Sequence, residues 1–177
     1  MAKMERSVIC VKPDALQRAH IGEIIDRFER KGYKLIAMKF VHGSKEQFEQ
    51  HYDHVSTDWF YPDLIKYMTS NPVVMMVWEG LHIIRHGRIM LGAKVPYGSK
   101  PGTVRFSLGI NTGHNIVHAS DSAEAANREM KIWFSDEEIC NFDRTTDQWV
   151  YDGTQGKFMG QGEDDIMVNG IENGICH

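Results

Sequence analysis

Ile21, Ile24, Ile25 and Phe28 recur at i, i+3, i+4 and i+7 and Gly32 follows, a spacing that gathers the apolar side chains on one face and predicts an amphipathic helix over 21–31. Before it, Ser7 to Val11 is a short apolar run stopped by Lys12-Pro13, the pattern of a strand. After it, Lys34 to Val41 alternates loosely through Leu35, Ala37, Met38 and Phe40 as a second strand, and 44–52 and 60–69 carry helical spacing. Pro72 to Trp78 reads PVVMMVW, apolar on both faces, which predicts a central strand. Residues 82–90 suit another helix. Pro96, Gly98, Pro101, Gly102, Gly109 and Gly113 make 91–113 mostly loop, Ile116 to His118 is a brief strand, and Asp121-x-x-Glu124 resembles a capping box opening a helix to about Trp133. Strand, helix, strand, helices, strand, helix, strand predicts a single α+β sandwich with helices packed on a four-stranded sheet.

Composition narrows the class. A chain of 177 residues, 42% hydrophobic and 25% charged, is one ordinary domain, neither disordered nor fibrous. Its net charge of −4 is not spread evenly. Residues 1–151 hold 19 basic and 19 acidic side chains, whereas 152–177 set Lys157 against Asp152, Glu163, Asp164, Asp165 and Glu172 and carry six of the 16 glycines. We therefore expect a folded domain over 1–151 and an acidic, glycine-rich, flexible extension over 152–177. Neither part offers the basic field that nucleic-acid binding draws on, and no K/R-G-F/Y-G/A-F strand of an RNA-binding domain occurs. The N-terminus lacks the apolar core of a signal peptide, and the longest apolar run, 72–78, falls far short of the roughly 20 residues that cross a bilayer. No membrane partner is expected. Cys10, Cys140 and Cys176 form an odd set without CxxC spacing, which argues against a disulfide framework or a zinc site and for a reducing, intracellular, cytoplasmic setting.

Standard phosphate and hydrolase motifs are missing: no Walker loop, no GxGxxG (Gly160-x-Gly162 lacks a glycine at 165), no HExxH and no GxSxG. The segment that stands out is NIVHASDS, 115–122. Three extended residues beyond His118 cover about 10 Å, and eight helical residues to Glu129 cover about 12 Å. A helix folding back along the strand thus returns Glu129 to the height of His118. A carboxylate there accepts a proton from one ring nitrogen and leaves the other lone pair outward as a nucleophile. The same spacing also suits a core histidine beside a solvated glutamate, and geometry alone does not choose.

VKPDALQR (11–18), KYM (66–68), PVVMMVWEG (72–80), MLGAKVPYGSKPGTVR (90–105) and NIVHASDS together resemble nucleoside diphosphate kinases, nearly without gaps over 5–151. The resemblance implies a ferredoxin-like βαββαβ fold, a four-stranded antiparallel sheet covered by helices. It implies transfer of the γ-phosphoryl group of a nucleoside triphosphate, such as ATP, to a nucleoside diphosphate by a ping-pong route through phosphohistidine. By the same resemblance His118 is the nucleophile, Glu129 and Ser120 orient it, and Lys12 and Tyr52 lie beside it. Phe60 with Leu64 beneath it would receive the base, Arg88, Lys94 and Arg105 the phosphates, and Asn115 the ribose. Mg²⁺ would be held mainly by the nucleotide's own phosphates. Family members assemble as hexamers or tetramers, and a homohexamer is the expectation.

Several positions depart from the family pattern. Lys94 stands where a phosphate-contacting threonine is usual and Ala93 where a glutamate precedes it; Phe106-Ser107-Leu108 replaces Gly-Asp-Phe, and His114 replaces an arginine. These changes surround the nucleotide and spare His118, so the expectation is an active enzyme with altered affinity. The alternative is a kinase-derived nucleotide-binding or regulatory protein with reduced turnover. The acids of the 152–177 extension are expected to compete with nucleotide for the cationic cleft.

Overall fold

In a computed structural model, residues 4–151 are described. They fall into two compact units divided between Phe142 and Asp143, so the first covers 4–142 and the second 143–151. In the first, β1 (Met4–Val11) runs antiparallel to β3 (Val73–Leu81), whose other edge takes β2 (Lys34–Val41). The free edge of β1 takes the short β4 (Val117–Ala119), giving the sheet order β2-β3-β1-β4, all antiparallel. Between β1 and β2 lie α1 (Pro13–Gln17) and α2 (Ile21–Arg30); between β2 and β3, α3 (Lys45–His51) and α4 (Tyr61–Met68); between β3 and β4, α5 (Ile83–Leu91) and α6 (Val104–Leu108). After β4 comes α7 (Ala123–Trp133). This is the ferredoxin-like arrangement, split βαβ units on one antiparallel sheet.

Pleating explains why the central strands are apolar throughout. Ile9, Val11, Val74, Met76 and Trp78 enter one core with Ile24 and Phe28 of α2 and Ile83 and Leu91 of α5. Val8, Cys10, Val73, Met75 and Val77 enter a second with Phe48 of α3, Ile65 and Met68 of α4, and Trp133 of α7. Each residue of β1 and β3 near the middle therefore meets a helix on whichever face it points to. Burial of each such side chain contributes about 1.5–3 kcal/mol.

Four details differ from the sequence expectation. β1 begins at Met4 rather than Ser7, because pairing with β3 extends through the polar residues Glu5 and Arg6. The strand expected at 116–118 lies at Val117–Ala119, because Ile116 sits at φ +74°, outside the extended region. The loop 91–113 contains the five-residue α6, too short for periodicity to reveal. The cap of α7 is Ser122, whose Oγ accepts from Ala125 N at 3.0 Å, and not Asp121.

Gly43, between β2 and α3, is required by close approach. A Cβ there would lie 2.7 Å from ring atoms of both Phe48 and Trp133, which pack with centroids 5.1 Å apart. Gly43→Ala should therefore cost about 1–3 kcal/mol through overpacking, read as a lower denaturant midpoint at unchanged slope. The second unit holds α8 (Asp147–Val150), with Arg144 Nε donating to Asp147 Oδ1 at 2.8 Å. The expected extension over 152–177 lies outside the described residues.

Candidate active site

The register Cys10↔His118 puts the His118 ring on the face of the sheet that α3 and α7 cover. Its Nε2 lies 3.1 Å from Glu129 Oε2. The same carboxylate oxygen accepts from Ser120 Oγ at 2.7 Å, and that hydroxyl in turn accepts from Val8 N at 2.9 Å. Ser120 is thus pinned to β1, and Glu129, whose side chain is 2% exposed, is fixed by both partners. An ionised Glu129 can only accept, so Nε2 carries the proton and Nδ1 keeps its lone pair. The His118 side chain is 16% exposed, enough to be reached from solvent.

Burial, followed by the charges of Lys12 and Arg105, holds the His118 pKa well below the usual histidine range. The ring is neutral at physiological pH. Burial pushes the Glu129 carboxyl up, opposed by His51, the Ser120 hydroxyl and Arg128.

The cations gather around the loop that precedes β4. Lys12, at the N-cap of α1, donates to Asn115 Oδ1 at 2.7 Å. Burial and the charge of Arg105 push the Lys12 ammonium down to about 8. Arg105, only 8% exposed, donates to Asn115 O (3.1 Å), Gly92 O (2.6 Å) and Val117 O (2.6 Å). Burial and then Arg88 lower its pKa to about 10. Gly92 has φ +85°, and a Cβ on it would meet Thr103 Oγ1 at 2.5 Å, so only glycine brings its carbonyl to Arg105 here. Arg88 on α5 and Lys94 after it are exposed. The charge of Lys94 nonetheless reaches Lys12, which it acts to depress.

Backbone strain sits at the same place. Ile116 is β-branched, fully buried and at positive φ, a costly conformation. It is held by Lys12 N donating to its carbonyl at 2.9 Å and by its own N–H donating to Asp14 Oδ2 at 3.2 Å. Tyr67 hydroxyl donates to the other Asp14 oxygen. Lys12, Asp14 and Asn115 are thereby locked together around one strained residue.

Tyr52, the C-cap of α3, is buried, its hydroxyl without a partner among the described residues and its ring edge-on to His118 at 5.9 Å. Phe60 is the N-cap of α4 and Leu64 lies one turn on, its N–H donating to the Phe60 carbonyl at 3.0 Å. Phe60 is 36% exposed and meets Trp59 edge-on at 5.9 Å. Of the departing positions, His114 packs on Tyr67 at 4.7 Å, Phe106 is half exposed, and Lys94 and Ala93 face solvent.

One residue beside His118 escaped the sequence reading. His51 is 1% exposed, its ring 4.5 Å from that of His118, and it accepts from Trp133 Nε1 at 3.1 Å. A lone histidine before Tyr52 carries no sequence signal, since its neighbours arrive from α7 and β4. His51, His118 and Glu129 are, among the described residues, the one trio whose ligand atoms all lie within 4.8 Å of one another. It is a poor Mg²⁺ cage: Mg²⁺ takes oxygen ligands, and here one ring nitrogen already serves Trp133 and another Glu129.

A family model described as nucleoside diphosphate kinase matches residues 5–139. The chain belongs to the nucleoside diphosphate kinase family.

It is 49% identical over 152 residues to nucleoside diphosphate kinase B of Mus musculus, covering 86% of this chain and 100% of that one. It is 51% identical over 148 residues to the nucleoside diphosphate kinase of Ginglymostoma cirratum, covering 84% and 98%. Among solved structures, a family protein from Babesia bovis superposes with TM-score 0.81 at 44% identity over 83% of this chain and 99% of that one. A halophilic nucleoside diphosphate kinase from Halobacterium salinarum, solved in complex with CDP, gives 0.82 at 38% identity over 85% and 100%. The activity is nucleoside diphosphate kinase phosphotransfer, γ-phosphate from nucleoside triphosphate to nucleoside diphosphate. No helix among the described residues is long and apolar enough to cross a membrane.

Proposed function

We propose that this phosphotransfer runs as two half-reactions through His118. Nδ1 attacks the γ-phosphorus of the triphosphate, an N–P bond forms, the bond to the bridging oxygen breaks, and the diphosphate leaves with that oxygen. The terminal phosphate oxygen of a second nucleoside diphosphate then attacks the same phosphorus and the N–P bond breaks. The Nε2 proton remains on the Glu129 side throughout, so neither half needs a further acid or base. The reading rests above all on the His118–Glu129 pair at 3.1 Å, which fixes the tautomer that leaves Nδ1 free.

Around the nucleophile, Lys12, Arg88, Lys94 and Arg105 supply positive charge for the phosphates, with Tyr52 beside the ring. Arg105 has spent three N–H groups on carbonyls and keeps two of its five for a ligand. Phe60 offers a half-exposed face for the base, with Leu64 beneath, and such stacking suits every base. Asn115 presents its amide to the ribose. Mg²⁺, when bound, neutralises charge on the phosphates and is carried by them, which fits a site rich in cations and without a carboxylate cage among the described residues. Residues 1–151 form the catalytic domain and 152–177 the acidic extension. A cytoplasmic setting rests on cysteine usage, and a homohexamer on the family resemblance.

The test is incubation with ATP labelled at the γ-position. An acid-labile, base-stable label should appear on the protein and move to added dGDP. The idea fails if no acid-labile label forms.

The pKa shifts set the pH dependence. Lys12 is charged below about 8 and loses its charge as pH rises through that value, whereas His118 becomes protonated only well below 6.5. Because kcat/KM reports the free enzyme, it should stay level through pH 6.5–7.5 and decline above about 8. The residual activity of Lys12→Arg should lack that alkaline limb. A level profile through pH 9 in the unsubstituted enzyme would remove Lys12 from the phosphate site.

A further inference from the structure

His51 is a buried polar residue that the mechanism above leaves idle. It ends α3 at 1% exposure, packed between the Trp133 indole (6.0 Å) and the His118 ring (4.5 Å, 68° between planes). Trp133 Nε1 is a donor only, so the His51 nitrogen that meets it, Nδ1, must accept. A neutral His51 therefore carries its proton on Nε2. That Nε2 is shielded from solvent and has no hydrogen-bond partner among the described residues. An unmatched buried N–H is costly and rare, and one beside a reactive group calls for a reason.

The reason lies in what stands next to it. His51, His118 and Glu129 bring a ligand atom each within 4.8 Å of one another. Glu129 is almost wholly buried, which favours its protonated form, and a protonated Glu129 would donate to His118 Nε2 and drive the imidazole proton onto Nδ1. The nucleophile would then be lost without any change in the ring's position. A polar ring held this close to the carboxylate bears on its charge state, and the His51 ring packs edge-on against that of His118 at 4.5 Å.

We propose that His51, locked as the Nε2–H tautomer by Trp133, is a positioning residue that keeps Glu129 an acceptor and His118 in the tautomer whose Nδ1 is free. The proposal rests on the phosphohistidine reading above. It makes Trp133 part of the device: its indole sets the His51 tautomer, and Gly43 gives that indole room.

The experiment uses the full chain as wild type, His51→Leu, His51→Gln and Trp133→Phe, each checked for folding by thermal melting. Three quantities are read: the rate of phosphoenzyme formation at saturating ATP by rapid quench, the Kd for ADP, and the His118 tautomer by ¹⁵N-resolved NMR of the nucleotide-free protein. His51→Leu is expected to slow phosphorylation about tenfold or more while the ADP Kd moves by no more than about twofold, since orientation and not binding is lost. The His118 signal should shift toward the Nδ1–H tautomer in step with the rate. His51→Gln, which restores an N–H donor, should recover part of both, and Trp133→Phe should lose part of both. Wild-type phosphorylation rate and tautomer in a folded His51→Leu would overturn the proposal; if that variant does not fold, the same two results in Trp133→Phe would do so. A wild-type protein that forms no phosphoenzyme would instead overturn the phosphohistidine reading.

Discussion

Replacing His118 with alanine is expected to lower the rate of phosphate transfer from ATP to dGDP by at least about four orders of magnitude, the scale seen when a covalent nucleophile is removed. Acid-labile labelling from γ-labelled ATP should disappear with it. The ring is partly exposed and, among the described residues, hydrogen-bonds to Glu129, which keeps Ser120 as its other partner. The melting temperature should therefore change little, and ADP should still bind, since the cations Lys12, Arg88, Lys94 and Arg105 are untouched. A His118→Ala protein that still acquired the label would exclude His118 as the carrier.

The second large effect is expected at Arg105, and it separates two duties of one side chain. Three backbone carbonyls, those of Gly92, Asn115 and Val117, converge on its guanidinium. They belong to the loop after α5, to the strained turn at Ile116, and to β4 itself. A lysine keeps the charge but cannot present the planar fork, so Arg105→Lys leaves at least one buried carbonyl unmatched. We expect a loss of about 2–4 kcal/mol from such unpaired groups, read as a lower denaturant midpoint. Because β4 carries His118, kcat should fall together with stability, and KM for nucleotide should rise as the phosphate-facing N–H groups are lost. A variant of unchanged stability with raised KM alone would mean that the carbonyl contacts carry no weight.

Lys94 gives a smaller, distinct expectation about affinity. It is the exposed cation whose charge already depresses Lys12, so a bound polyphosphate would relieve repulsion between the two. Lys94→Thr is therefore expected to raise the Kd for ADP, read by calorimetric titration.

Some features could be read without a structure. Apolar spacing alone placed α2 within one residue at its C-terminal end, because Ile24 and Phe28 face the core and Gly32 stops the helix. PVVMMVW read as a central strand since both of its faces are packed, and NIVHASDS pointed to His118 through its resemblance to the family. Rise per residue brought Glu129 to the height of His118, as strand and helix dimensions are nearly constant, and the fold then showed the two paired. Capping was less legible. Asp121 and Ser122 are both good caps, and only the path of the chain into α7 selected Ser122.

The tertiary structure decided what depends on side chains far apart in sequence. Spacing can show that a histidine and a glutamate share a height, but not that Trp133 fixes the tautomer of His51, 82 positions away. Nor can it show that Arg105 is tied to three carbonyls rather than free in solvent, or that Ile116 is held at positive φ by Lys12 and Asp14. The sequence by itself determined the main elements and their order, and by resemblance pointed to His118, because periodicity and local motifs follow from bonded geometry. The shifts in protonation, the tautomers and the tie of Arg105 to three carbonyls were decided only by the fold. They arise from burial and through-space charge, which no local window of residues contains.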